Sequence, residues 1–226
     1  MSTFNILRKS KLQNTFRINA IKNMFDLSVS EIAENFVGEI TLADDWSIGV
    51  IYGASGTGKT TISKEIFGKS FEKKYTANSV IDDFGEKIDL QKITQTLNSV
   101  GFSSVPSWLK PYSVLSTGEK MRVDLASAIL ETPENEIIIF DEYTSVVNRE
   151  VAKIMSVALS KTTRRMKRKI ILVSCHDDIL DWLEPDWEFN TNKMELLKKN
   201  GKDQKSISKY TNPQQATGKC LANIII

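Results

Sequence analysis

The segment Gly53-Ala-Ser-Gly-Thr-Gly58-Lys59-Thr60 constrains this chain more than any other feature. It fits the pattern G-x-x-x-x-G-K-[ST], with a β-rich run, Ser47–Tyr52, before it and a helical segment, Thr60–Phe67, closed by Gly68 after it. Glycines let backbone N–H groups turn inward around phosphates, and the following helix start adds partial positive charge at the same place. Gly53, Ala54, Ser55, Gly56, Thr57, Gly58, Lys59 and Thr60, with Thr61 in the next turn, are therefore the expected nucleotide-phosphate contacts. Lys59 reaches the β- and γ-phosphates in such a loop, and the Thr60 hydroxyl is placed for Mg2+.

A second apolar run, Ile137–Phe140, ends in Asp141-Glu142. Continuous apolar runs read as parallel strands covered on both faces, and ligand sites in such sheets lie at the strands' carboxyl ends. Asp141 suits the magnesium shell, and Glu142 suits orienting or deprotonating an attacking water. Ile170–Val173 is another buried strand, joined to the first by a helix expected over Arg149–Thr162, which makes a βαβ unit.

Other elements follow from local patterns. Ser116-Thr-Gly-Glu119 has the form of a capping box, followed by Met121, Leu125, Ala128 and Ile129 on one apolar face up to Pro133. Helix is expected from about Asp89 to Val100, with short strands at Glu39–Leu42 and Ser79–Ile81. The expected fold is α/β, with a mostly parallel central sheet and an N-terminal β segment.

Four motifs in order now resemble the ATP-binding-cassette superfamily. Leu115-Ser-Thr-Gly118-Glu119 looks like that family's L-S-G-G-Q signature, 26 residues before Asp141. Ser145-Val-Val-Asn148 stands where the D-loop should be, with Asn148 in place of the usual Asp. Ser174-Cys-His176 follows the last strand, where the family has its switch histidine, 35 residues beyond Asp141. The resemblance implies an ATPase domain over residues 1–195, with a reduced helical and signature subdomain at about 84–130. It implies ATP and Mg2+ as ligands and a head-to-tail homodimer, each nucleotide lying between one subunit's phosphate loop and the other's Ser116 and Gly118 amide. Lys59, Glu142 and His176 are the implied catalytic residues, with Thr60 and Asp141 on the metal.

The departures from the family are informative. No glutamine stands clearly at the Q-loop, where Asp82, Asp83 or Gln91 are candidates, and Tyr143 replaces the proline usual in transporter subunits. Phe25 is the candidate for stacking on adenine. These departures argue against a membrane permease partner and favour a soluble, non-transport member. Ile81-Asp82-Asp83, Asp141-Glu-Tyr-Thr144, Ser174-Cys-His-Asp177 and Trp182-Leu-Glu-Pro-Asp-Trp187 look like a bacterial and phage group, sometimes linked to a predicted acetyltransferase domain. The energy-coupling subunit of a membrane transporter is the competing class.

Composition bounds the rest. No apolar stretch approaches the ~20 residues that cross a bilayer, and no signal-peptide pattern occurs at residues 1–30. With Cys175 and Cys220 as the only cysteines and His176 as the only histidine, neither a disulfide framework nor a zinc site is expected, and a cytoplasmic location fits. Net charge is +2, yet Lys161–Lys169 alone carries six basic and no acidic residues. That stretch is the candidate nucleic-acid contact, with Trp108, Trp182 and Trp187 as candidate stacking residues; solvated helix faces and packing are the plainer reading. Residues 196–226 form a Lys-rich tail in which order is not expected and which reads as a truncated or altered end.

Overall fold

The computed structural model describes residues 2–198. The chain opens with β1 (Ser2–Lys11), α1 (Phe16–Met24) and β2 (Glu31–Ile40), continues through β3 (Ile48–Tyr52) and α2 (Lys59–Phe67), and then runs through three helices, α3 (Leu90–Ser99), α4 (Val105–Trp108) and α5 (Thr117–Glu131). The second half is β4 (Ile138–Phe140), α6 (Arg149–Arg165), β5 (Ile170–Ser174), α7 (Ile179–Leu183), β6 (Trp187–Asn190) and β7 (Glu195–Lys198). The central sheet has the order β4-β5-β3-β6-β7, with β4, β5, β3 and β6 parallel and β7 antiparallel at the edge. The fold class expected from sequence, α/β with a mostly parallel sheet, is observed.

Alternation along the strands divides the core between the two sheet faces. Ile48, Val50, Ile170 and Leu172 face a cluster that includes Leu97, Phe102 and Leu125 from the helical segment. Ile51, Ile171, Val173, Trp187 and Phe189 face the second cluster, closed by Phe4, Phe36 and Ile62. The helices α3–α5 thus share one apolar core with the sheet.

Trp187 fills the second face where β3 has no side chain. A Cβ on Gly49 would lie 2.0 Å from the indole. The ring stacks on Phe67 at 5.7 Å and meets Trp46 edge-on at 5.5 Å. Trp187 and Trp108 are both buried, so neither is available to stack on a nucleic-acid base; Trp182, partly buried, packs on the guanidinium of Arg149 at 5.3 Å.

Two local readings are corrected. Residues 79–81 form turns, not a strand; Asp83 Oδ1 accepts from the amides of Thr76 and Ala77, and Asp82 accepts from the Ser79 hydroxyl, so the carboxylates fold the chain on itself. The strand placed at Glu39–Leu42 is only the end of β2, which forms a ten-pair antiparallel hairpin with β1. Beneath this hairpin Phe4 covers Gly38, where a Cβ would lie 2.4 Å from the ring. The last strand reaches Lys198, three residues past the boundary expected at 195. The rest of the Lys-rich tail, with Cys220, lies outside the described residues.

One carboxylate ties together three elements at the sheet's lower edge. Asp186 Oδ2 accepts from the amides of Ser47 and Ile48 at 2.7 and 2.9 Å, and Arg164 donates to Oδ1 at 2.9 Å. Burial alone raises the Asp186 pKa, but the two amides and Arg164 outweigh it and hold the carboxyl below its ordinary value. A depressed folded-state pKa contributes stability above the unfolded value, near pH 4, and that contribution disappears as pH falls through the folded value. Asp186→Asn, which can accept but not bind a cation, is expected to lose about 2 kcal/mol at pH 7. Its loss should shrink at pH 3, as measured by urea unfolding at both pH values; an equal loss at both would refute the ionic reading.

Candidate functional site

Three parallel strands deliver the candidate residues to one edge. Strand register pairs Tyr52 with Ser174 and Phe140 with Leu172, so Gly53, Cys175 and Asp141 all leave the sheet at its carboxyl end. Adjacent strands are ~4.8 Å apart, which brings the phosphate-loop pattern, Asp141-Glu142 and His176 to the same face.

The loop has the backbone that its glycines permit. Gly56 and Gly58 have φ of 80° and 83°, left-handed values in which a side chain is strained. Gly58 is the N-cap residue of α2, and a Cβ there would lie 2.5 Å from Phe36 of the hairpin. The hairpin also reaches the helix through Arg8, whose Nη1 donates to the Thr61 hydroxyl at 3.0 Å. Thr61 is thus engaged from behind, while Thr60 faces solvent. Lys59 Nζ donates to the Ala54 carbonyl at 2.8 Å, curling over the loop.

Two residues that the sequence did not single out brace this loop. The Thr191 hydroxyl lies 2.6 Å from that of Thr57, and Asn192 Oδ1 accepts from the Ala54 amide at 3.1 Å. Both follow β6 and are more than 130 positions away in sequence, so no local pattern marks them.

The turn after β4 is strained where the carboxylates sit. Glu142 and Thr144 have φ of 53° and 64°, left-handed values unusual for non-glycine residues, shared here by Asp26, Lys167, Glu184 and Met194. Asp141 Oδ1 accepts from the Glu142 amide at 2.8 Å, and Glu142 Oε2 accepts from Ser145 Oγ at 2.6 Å. Tyr143 explains its own departure from proline. Its N–H donates to the Val173 carbonyl at 2.8 Å, a bond no proline can make, and its buried hydroxyl meets Ser156 at 3.0 Å. Burial raises the phenol pKa, so it stays protonated.

His176 is partly buried and follows Ser174, whose hydroxyl donates to the Tyr143 carbonyl at 2.9 Å and accepts from the His176 amide at 3.1 Å. Arg149 adds a bridge: it pairs with Asp178 and donates to Thr144 Oγ1 at 3.4 Å. The histidine segment and the Asp141–Glu142 turn are thereby fastened together.

The capping box is formed as expected. Ser116 Oγ accepts from the Glu119 amide at 3.4 Å, and Glu119 Oε2 accepts from the Ser116 amide at 3.0 Å. The Ser116 amide and hydroxyl hold the Glu119 pKa low. Gly118 lies against Val147, where a Cβ would be 3.2 Å from the valine methyl, and Asn148 caps α6 through Val151 N at 2.8 Å. Asparagine therefore performs the capping that an aspartate would. Among the described residues no hydrogen bond joins Ser116–Glu119 to the Gly53–Thr61 loop.

Asp141 borders a cavity of about 620 Å³ lined also by Glu72, Lys74, Tyr112 and Asp124. Phe71 N donates to the Ile139 carbonyl at 2.8 Å, which carries the chain past the β4 edge and into this cavity. Asp82, Asp83 and Gln91 do not line it. Burial raises the Asp124 pKa against the hydrogen bond from Tyr112, which is 2.9 Å long. Phe25 caps the end of α1, an element with no buried residue, and Phe36 is the hairpin aromatic that meets the loop.

No protein-family model matches the chain, and no curated protein matches its sequence. Solved structures do match. A bacterial ABC transporter cassette, in a dimeric post-hydrolysis state bound to ADP and Pi, aligns with a TM-score of 0.56 at 10% identity, over 83% of this chain and 92% of that one. The fold is that of an ATP-binding cassette. A putative metal-chelate type ABC transporter in an inward-facing conformation aligns at 0.51 and 16% identity, over 74% and 75% of the two chains. A Clostridium perfringens cassette, part of a transporter complex, aligns at 0.50 and 17%, over 82% and 84%. In this cassette fold no described helix is long and apolar enough to cross a membrane.

A magnesium ion suits the donors present. Mg2+ is commonly held by one or two protein oxygens with substrate phosphates and waters completing its shell. Thr60 and Asp141 offer two such oxygens, and no group of three or more His, Cys, Asp or Glu among the described residues competes as a metal site.

Proposed function

We propose that the chain binds Mg-ATP at Gly53–Thr60 and hydrolyses it between two copies arranged head to tail. The observation that supports this reading is the register of three adjacent parallel strands, β4, β5 and β3, from whose carboxyl ends the chain passes into Asp141-Glu142, Cys175-His176 and the Gly53–Thr60 loop. Lys59 exchanges its Ala54 carbonyl for the β- and γ-phosphates and neutralises their charge. Glu142, oriented by Ser145, accepts the proton of the attacking water, and His176 holds the γ-phosphate. Thr60 and Asp141 would hold Mg2+, which would add further charge neutralisation at the phosphates. Ser116 and the Gly118 amide of the second copy complete the γ-phosphate shell, which fits their lack of any hydrogen bond to the loop in their own chain. The dimeric cassette bound to ADP and Pi supports that arrangement by its fold.

The same reading makes this a non-transport ATPase of the cytoplasm, supported by Tyr143 at the proline position and by Glu72 and Lys74, not glutamine, beside Asp141. The energy-coupling subunit of a transporter is the second reading, favoured by the transporter cassettes among its structural neighbours. Copurification with a membrane permease separates the two. A nucleic-acid contact through Lys161–Lys169 would have to compete with Asp186 and the Glu184 carbonyl for the exposed Arg164 and to spare Arg168, which is buried against the end of α5. Phosphate release from ATP tests the activity itself: turnover is expected with Mg2+ and should vanish when EDTA removes it. Turnover that persists in EDTA would contradict the assigned role of Thr60 and Asp141.

A further inference from the structure

At the opposite end of the sheet from the nucleotide loop lies a second cavity, of about 540 Å³. It opens where α5 ends, α6 ends and α3 begins, beside the first residues of β4 and β5. The five residues of β5 put it ~17 Å from the Asp141 face. Its apolar surface comes from Ile88, Ile129, Leu130 and Met166, and its basic groups are Lys87, Lys92, Arg165 and Arg168.

Arg168 is the unusual member. It is only 6% exposed, and its guanidinium meets neutral carbonyls: Nη1 donates to Ile129 O at 3.2 Å, and Nη2 to Thr132 O and Pro133 O at 2.8 and 3.0 Å. Capping the end of α5 explains those bonds but leaves Nε–H buried with no partner. A buried donor without a partner costs stability unless something else satisfies it. Lys87, Lys92 and Arg165 are exposed, and none of the three forms an ion pair among the described residues.

Three carboxylates share the cavity wall. Asp89 accepts from the amides of Gln91 and Lys92 as the cap of α3, and Glu131 is paired with Lys73. Glu134 is exposed and acts on Arg168 from the rim. Since Glu131 is taken by Lys73, the four cations face only Asp89 and Glu134, and a positive surplus remains on one small concavity.

We propose that this cavity binds a small phosphomonoester with an apolar body, its dianionic head among Lys87, Lys92, Arg165 and Arg168 and its body against Ile88, Ile129 and Met166. With Glu131 already paired to Lys73, four cations against Asp89 and Glu134 leave two positive charges, which match a dianion better than a singly charged carboxylate. A volume of about 540 Å³ and an apolar lining suit a small ligand more than a polymer. The site is separate from the ATP reading and stands without it.

Phenyl phosphate is the probe, titrated into the full chain carrying 13C-labelled methionine methyls, with Met166→Leu identifying the Met166 resonance. The Met166 signal is expected to shift saturably. The apparent Kd should rise at least tenfold in the Lys92→Gln/Arg165→Gln double variant, whose substituted side chains are both exposed, and stay unchanged in Lys59→Ala. Absence of a saturable shift overturns the proposal, as does a shift that survives the double variant. So does binding of a single-stranded oligonucleotide through Lys161 and Lys167 by a chain that ignores phenyl phosphate.

Discussion

Glu142→Gln is expected to lower ATP turnover by roughly 10²–10⁴-fold while leaving nucleotide binding in place, the range that general-base catalysis contributes. The amide keeps the carboxylate's shape and can still accept from Ser145 Oγ, so the turn after β4 has no reason to reorganise. What disappears is the ability to take a proton from water. The proposed binding residues, Gly53–Thr60, follow a different strand, and no hydrogen bond among the described residues joins them to Glu142. Single-turnover phosphate release alongside fluorescent-nucleotide titration separates the two quantities. A variant that loses binding and turnover together would show that Glu142 holds the loop and not the water.

Trp187→Ala carries the largest expected effect on stability, about 3–5 kcal/mol. The indole is 2% exposed and sandwiched between Phe67 and Gly49. Because Gly49 offers no side chain, nothing on β3 can move in to fill the space. The cavity would open directly under the strand that delivers the phosphate loop, so nucleotide affinity should fall with stability. Trp187→Phe keeps most of the volume and removes an indole N–H that has no hydrogen-bond partner, and is expected to cost less than half as much. Denaturant midpoints of the two variants check the ordering. A loss below 1 kcal/mol for the alanine variant would show that the hairpin collapses onto the gap.

The local structure of the candidate motifs was legible because each is set by neighbouring residues. Gly53–Thr60 needs only its own glycines and helix start, Ser116–Glu119 closes a capping box within four residues, and Ile137–Glu142 announces a buried strand by its apolar run. Long-range partners were not legible. Thr191 and Asn192 reach the loop from the far end of the chain, and Arg149 joins Asp178 across 29 positions. An N-terminal β segment was expected, but the extent of the hairpin was not legible, because its outer half is exposed on both faces; Phe4, Phe36, Gly38 and Ile40 are buried and Ile6 packs with them. Ser79–Ile81 misled in the opposite direction: a β-branched pair followed by aspartates resembles a strand end, yet the Asp83 carboxylate captures two local amides and winds the segment into turns. The basic stretch divides in the same way, since burial and partner geometry, not charge count, decide which cations are free.

The most direct test of the composite site is the molecular mass of Glu142→Gln by light scattering, with and without saturating Mg-ATP. With the nucleotide trapped between the phosphate loop of one copy and Ser116 and Gly118 of the other, the mass should double from 25.5 kDa on adding Mg-ATP and return to that value on its removal. A chain that remains at 25.5 kDa while fully loaded with ATP would contradict the head-to-tail site.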